Sequence, residues 1–364
     1  MRSRPNTTAG PALALLALVI AGCSAASGAA PTSRPATSAP ASARPTASAR
    51  PTASAPPTAS SSSESCGAHA GSSVVSTAAE LTHALSAARP GETILLEPGV
   101  YEGNFTASTP GTAAAPITLC GNRSAILQGP GINNGYVLHL DHASYWQVEG
   151  FTVEGGQKGV VTDDVTHDLI YGLYVHGTGD EAIHLRSFSS YNVVSHNVIR
   201  DTGLLVPFFG EGIYVGSANK NWCRYTGCQP DRSDHNRIID NNIADTTAEN
   251  IDIKEGTTGG VISGNILNGT GMVASAATSW VNVKGNDWLV EDNTGTHSID
   301  NGFSVHQVYP GWGLDNVFID NRAVVDGPGF GIYVQSHRLG TVVACNNVAS
   351  GAAGGLTNIG CSDA

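Results

Sequence analysis

The chain has only four lysines and two methionines in 364 residues, and few aromatic side chains. Lys and Arg together number 18 against 30 Asp and Glu, a net charge of −12. No basic field for nucleic acid is present, so no nucleic-acid partner is expected. No CxxC pair and no Cys/His spacing suggests zinc. The apolar run Pro11–Ile20 is too short for a comfortable membrane span. An aromatic content of 6% leaves a thin, mainly aliphatic core, which suits a stacked architecture.

What is there is a repeat. A seven-residue frame recurs: Glu181–Ser187, Glu211–Ser217, Glu249–Glu255, Ser279–Gly285, Asn301–Gln307 and Phe330–Ser336, with earlier copies at Tyr136–His142 and Lys158–Asp164. Its third and fifth positions are nearly all Ile, Val, Leu or Phe, and its fourth and sixth are mostly polar. This is the period-two alternation of a short strand. A second frame alternates with the first, two or three apolar residues and then Asn: Val193–Asn197, Ile238–Asn242, Val261–Asn265, Leu289–Asn293, Val317–Asn321 and Val342–Asn346. The fold expected is all-β, a right-handed single-stranded parallel β-helix in which each strand pairs with its copy one coil later. The recurring Asn fits a turn residue that tolerates the left-handed conformation, and stacked copies would form an internal ladder. The pattern at Thr77–Ala88, through Leu81, Leu85 and Ala88, predicts a helix that caps the open end of the core.

The N-terminal segment reads as export. Arg2 and Arg4 precede the apolar run, and Ile20-Ala-Gly-Cys23 looks like a bacterial lipoprotein signal with Cys23 as the lipidated residue. An ordinary cleaved secretory signal is the alternative. Residues 1–22 are then the signal, 23–65 an Ala/Ser/Thr/Pro-rich tether unable to bury a core, and 66–364 one β-helix domain, expected to be monomeric. The only membrane partner would be the lipid anchor. Six further cysteines suggest disulfides in an extracellular protein. Proximity favours Cys223–Cys228 and Cys345–Cys361, leaving Cys66–Cys120.

Two corners are enlarged, Val198–Gly210 and Ile266–Thr278, and a third insertion spans Ala218–Asp234. They bracket the coil carrying Lys254. Loops that lengthen over one region of a repeat usually build a binding site. They bring Phe208, Phe209 and Trp222, with Trp280 at a strand start, as candidate faces for sugar rings; packing of the loops onto the scaffold is the plainer reading of each. Positions four and six should face outward. Position four carries His184, Tyr214, Asp252, Asn282 and Tyr333; position six carries Arg186, Lys254, Lys284 and His306, a basic stripe on an acidic chain that suggests an anionic ligand. Asp252 and Lys254 should project about 7 Å apart. At the first position Glu181, Glu211 and Glu249 stack on successive coils with Asp252 nearby. Stacked carboxylates repel, so one is protonated, some swing to solvent, they bond turn amides, or a cation such as calcium sits among them.

These residues carry a resemblance. Gly210–Ser217 and Glu249–Lys254 resemble two strands of the β-helical polysaccharide lyases, closest to polysaccharide lyase family 6, which includes chondroitinase B and alginate lyases. The resemblance implies cleavage of a uronic-acid polysaccharide by β-elimination, with calcium on acidic side chains and Lys254 as the base. Where that family has an Arg, this chain has Trp280, Asn282 and Lys284. In this reading Lys284 and Arg186 help neutralise the uronate. Lys284 also lowers the pKa of Lys254 by like-charge repulsion, and Tyr214 or His306 protonates the leaving oxygen. The competing readings are a glycoside hydrolase using Asp252 with Glu211 or Asp141 with Asp163, and a glycan-binding module without catalysis.

Overall fold

A computed structural model describes residues 72–363. The signal, Cys23, the tether and Cys66 lie outside the described residues. Three parallel sheets, of eleven, ten and ten strands, run the length of the domain, and every named strand pairs with the equivalent strand one coil before or after. The chain is thus a parallel β-helix of about ten turns.

The first frame forms one of the ten-stranded sheets. Ile183, Ile213, Ile251, Val281, Phe303 and Ile332 pair in unbroken register and are all buried inside. Fifth-position Leu185, Val215, Ile253, Val283, Val305 and Val334 stack beside them, fully buried. Alternation therefore sets the inward face as expected. At the N-terminal end the helix Ala78–Ala87 covers the first coils with Leu81, Ala84 and Leu85. Thr77 and Glu80 form a reciprocal capping box that fixes where the helix starts. Cys223–Cys228 and Cys345–Cys361 are both bonded.

The second frame builds the asparagine ladder, with two corrections. The rungs are Asn197, Asn241, Asn265, Asn293, Asn321 and Asn347, so two of the expected positions, Asn242 and Asn346, are each displaced by one residue. In each step the side-chain amide of one Asn donates to the carbonyl oxygen of the next at 2.9–3.0 Å. The left-handed residue is the one before the Asn: His196, Asp240, Gly264, Asp292 and Asp320 have φ between 55° and 67°. That residue turns the chain, and the Asn behind it is free to point inward.

Candidate active-site cleft

On the outer face of the first-frame sheet, strands from Tyr136 to Lys254 and two inserted loops enclose a cleft of ≈740 Å³. The corner 201–210 contributes Val206, Phe208 and Phe209. The insertion after Ser217 contributes Lys220, Arg224 and Tyr225. The other enlarged corner, after Asn268, supplies no wall of this cleft. Its Met272 and Ala277 are buried, and Val273 donates its N–H to the Thr247 carbonyl, so it packs back on the scaffold.

The loops change the meaning of the outward face. His184, Arg186, Tyr214, Asp252, Asn282 and Lys284 point away from the core, yet each is at most 8% exposed. Buried charge must be paired. Asp252 is the hub: Lys254 Nζ lies 2.5 Å from Oδ2 and Lys284 Nζ 2.5 Å from Oδ1. The expected separation of about 7 Å for two outward side chains is overturned, because the flexible lysine stem folds back to the carboxylate. Burial alone would push the Lys254 ammonium to shed its proton. Asp252, with smaller help from Tyr214 and Glu211, more than reverses this and holds its pKa well above the ordinary value. The expectation that Lys284 would make Lys254 neutral is therefore corrected: Asp252 sits between the two amines and keeps Lys254 cationic. The Lys254 ammonium also lies over the Tyr214 ring, 4.6 Å from its centre.

His184 reaches the cleft beside Tyr214, with ring centres 4.4 Å apart. Its Nε2 hydrogen donates to the Gly216 carbonyl at 3.0 Å, which leaves Nδ1 as the acceptor facing Lys158 Nζ at 3.1 Å. Burial first, then the charges of Lys158 and Arg186, depress its pKa well below the ordinary value, so the imidazole is neutral. His306 donates from Nδ1 to Asn282 Oδ1 at 2.8 Å, and burial with nearby Lys284 lowers it to about 4. Burial pushes the Tyr214 phenol well up, against the pull of Lys254.

Other expected site residues take different places. Arg186 is committed elsewhere: its guanidinium grips Asp163 at 2.7 and 2.9 Å and lies against the Tyr136 and Tyr225 rings. It is not a free receptor for a uronate. Trp280 is fully buried and packs edge-on against Phe303. A Cβ added at Gly295 or Gly302 would collide with its ring, and those two glycines are the signal that it points inward. Trp222 is 6% exposed, donates its indole N–H to the Ser217 carbonyl and anchors its loop. Tyr333 stands at the far end of the fourth-position column near His306. Glu181 is paired with Lys158 at 2.7 Å, outside the group formed by Glu211, Glu249 and Asp252 but close enough for its charge to act on Glu211.

Glu211, Glu249 and Asp252 do form a buried acidic group, one oxygen from each lying within 4.8 Å of the others. Three of its six oxygens are taken. Both Asp252 oxygens hold ammonium groups, and Glu249 Oε1 accepts from the Asn282 amide at 2.9 Å. Glu211 Oε2 is buried with no hydrogen-bond donor. Burial and the neighbouring carboxylates raise the pKa of Glu211 well above the ordinary range, so protonation relieves the remaining charge.

Sequence reasoning passed over Lys158 and Lys220 because one sat in an early coil and the other in a loop. Lys158, Lys220 and Lys254 all line the cleft, and Lys284 shares the hub carboxylate. Every lysine of this acidic chain thus converges on one site.

No protein-family model matches the chain, and no curated protein does. Among solved structures it is similar to an alginate lyase from Paenibacillus sp. str. FPU-7, with 33% identity over 79% of this chain and 97% of that one and a TM-score of 0.73. It shares the fold of the pectate lyase Pel9A at 17% identity, over 74% of this chain and 72% of that one, with a TM-score of 0.53. The register of the coils, the lysine-lined cleft and this one-third identity across nearly all of a lyase chain place the protein among the β-helical polysaccharide lyases, and it is an enzyme of that class.

Proposed function

We propose that the enzyme cleaves alginate or a closely similar polyuronate by β-elimination. The observation that carries this reading is the convergence of three of the four lysines on a single cleft, with the fourth, Lys284, on the carboxylate that holds Lys254, in a chain with a net charge of −12. Such a site selects a polyanion. The similarity to an alginate lyase supports the choice of polymer.

The elimination requires the uronate carboxylate to be neutralised, the C5 proton removed and the O4 leaving group protonated. Lys254 rests as an ammonium fixed by Asp252, so it acts as a proton donor and charge neutraliser. This replaces the role of base that the family resemblance implied. Tyr214 also keeps its proton and stands beside Lys254, ready to hydrogen-bond developing negative charge. Of the titratable groups lining the cleft, His184 is the neutral imidazole, and its Nδ1 is the proposed acceptor of the C5 proton once the substrate carboxylate draws the Lys158 ammonium away from that nitrogen. Lys158, bound to both His184 and Glu181, tunes that imidazole. Phe208 and Phe209, 55% and 48% exposed at the rim, offer faces to the sugar rings.

Calcium suits oxygen-rich sites. Here two ammonium groups occupy the oxygens of Asp252 that such an ion would need, so the residues do not fit it and no step is routed through it. Export, an anchor at Cys23 and the tether 23–65 complete the proposal. The signal-like segment and the two disulfides support an extracellular location.

The test is a panel of sodium alginate, its mannuronate- and guluronate-rich fractions, and pectate, followed by the ultraviolet absorbance of the unsaturated uronate. New absorbance on alginate is expected. New reducing ends without that absorbance would convert the assignment to a hydrolase.

A further inference from the structure

The cations around the cleft divide into two kinds. Lys158, Arg186, Lys254 and Lys284 each have a carboxylate within 3 Å. Lys220 and Arg224 line the same cleft and, among the described residues, have no acidic partner within ion-pair distance. Both are exposed.

Their placement is built into the fold. Lys220 lies in the single turn Asn219–Asn221 and Arg224 in the turn Trp222–Tyr225 that follows directly. Residues four apart on consecutive helical turns project to one side. Trp222, between them, turns the other way and is buried. The loop is lashed down at several points. The Cys223–Cys228 bond closes it, Asn219 N–H donates to Glu255 at 2.6 Å, and the Ser217 hydroxyl donates to Asp231 at 2.6 Å. Asp231 in turn accepts from the backbone of Ser187 and Phe188, on the neighbouring coil. Two cations without an ionic partner, on a loop whose backbone is tied down at a cleft wall, are placed for an anion, and only their side-chain freedom is lost on binding.

We propose that Lys220 and Arg224 form a second carboxylate subsite, which holds a uronate residue of the polymer other than the one being cleaved. This rests on the polyuronate reading above and adds to it. The internally paired cations serve the reacting sugar, and the loop cations read its neighbours and set the register of the chain. The substrate is then a run of charged residues, and isolated uronates in a neutral polymer are poor ligands.

The test uses Lys220→Gln, Arg224→Gln and the double variant, in otherwise wild-type protein for turnover and in a Lys254→Ala background for binding by retardation in sodium alginate gels. Each single change should raise KM by roughly two- to fivefold, the scale of an exposed ion pair. The double change should raise it about tenfold, with the loss falling on KM rather than kcat. Added salt should bring the retardation of the Lys254→Ala parent toward that of the double variant in the same background. Propylene-glycol-esterified alginate, lacking the charge, should bind that parent and its variants alike. Thermal melting checks that the exposed changes leave the fold intact. Unchanged retardation and KM in a folded double variant overturn the subsite. If retardation falls in the variants while wild type produces no unsaturated uronate, the subsite stands and the lyase assignment on alginate fails. If the Lys254→Ala parent is not retarded at all, and wild type yields no unsaturated uronate, both fall.

Discussion

The asparagine ladder and the lysine–carboxylate group are built on the same coils by the same operation, stacking like positions at one strand spacing. They differ in chemistry. An asparagine amide both donates and accepts, so identical residues satisfy one another, and the rungs from Asn197 to Asn347 repeat unchanged. A carboxylate only accepts. Glu181, Glu211 and Glu249 cannot satisfy one another, and the column survives by breaking its own repetition. Lys158 enters beside Glu181, Asn282 beside Glu249, and two ammonium groups beside Asp252. Self-complementary columns hold a solenoid together, and the coils where self-complementarity fails are where the catalytic chemistry is assembled.

Substitutions in the two columns should separate these roles. The largest effect is expected from Lys254→Ala. Loss of a proton-transferring group costs about 100- to 10,000-fold in turnover. The fold should persist, because Asp252 keeps Lys284 as its partner. Near-normal turnover on alginate by Lys254→Ala would remove the charged column from the chemistry. Asp252→Asn comes next. It leaves two largely buried ammonium groups without a counter-charge and should destabilise the domain by about 3–5 kcal/mol in urea unfolding. A stability equal to wild type would show that the hub carboxylate does not carry the pairing described.

In the ladder, Asn265→Ala should cost about 1–3 kcal/mol, because the buried amide of Asn241 loses its acceptor. Turnover should be unchanged at temperatures where the variant is folded, which is the reverse of Lys254→Ala. The smallest effect concerns acid. His306 is held at about 4 in the folded chain against an ordinary 6.5. Its folded pKa is depressed, so the unfolded chain binds the extra proton between those values. The stability it contributes is complete above the ordinary value and is lost as pH falls toward 4. Melting temperature should decline between pH 7 and pH 5, and His306→Gln should decline less. A slope identical in the two proteins would assign the acid sensitivity to other groups, such as His184.

Much of the fold was legible because strand alternation, turn residues and helix capping act locally. Ile183 through Ile332, the capping box at Thr77 and Glu80, and both observed disulfides follow from short-range rules. The ladder was displaced by one residue at two rungs because adjacent asparagines at 241–242 and 346–347 leave a one-residue ambiguity. The packed core resolves it: the turn residue must precede the inward Asn. The site was less legible, for a different reason. Outward orientation is a property of the strand, but burial of the outward face is made by loops from distant positions. Sequence spacing therefore located Asp252, Lys254 and Lys284 on one outward face, in adjacent columns, without revealing that the three form one ion group. It missed Lys158 and Lys220 because their convergence depends on the insertion after Ser217. Trp280 was assigned to the cleft by its residue type, when Gly295 and Gly302 had already cleared space for it inside.

The asparagine ladder has a consequence for how such a chain changes length. Each rung presents the same donor to the coil ahead and the same acceptor to the coil behind. Removing one whole coil between two rungs therefore rejoins equivalent partners and leaves the seam chemically indistinguishable from any other. The ladder acts as a splice code: it tolerates gain or loss of complete turns and rejects fractions of a turn, which would strand a buried amide. Coils outside the cleft can in this way be added or deleted as units, altering the length of the groove while the lysine-bearing turns stay as they are.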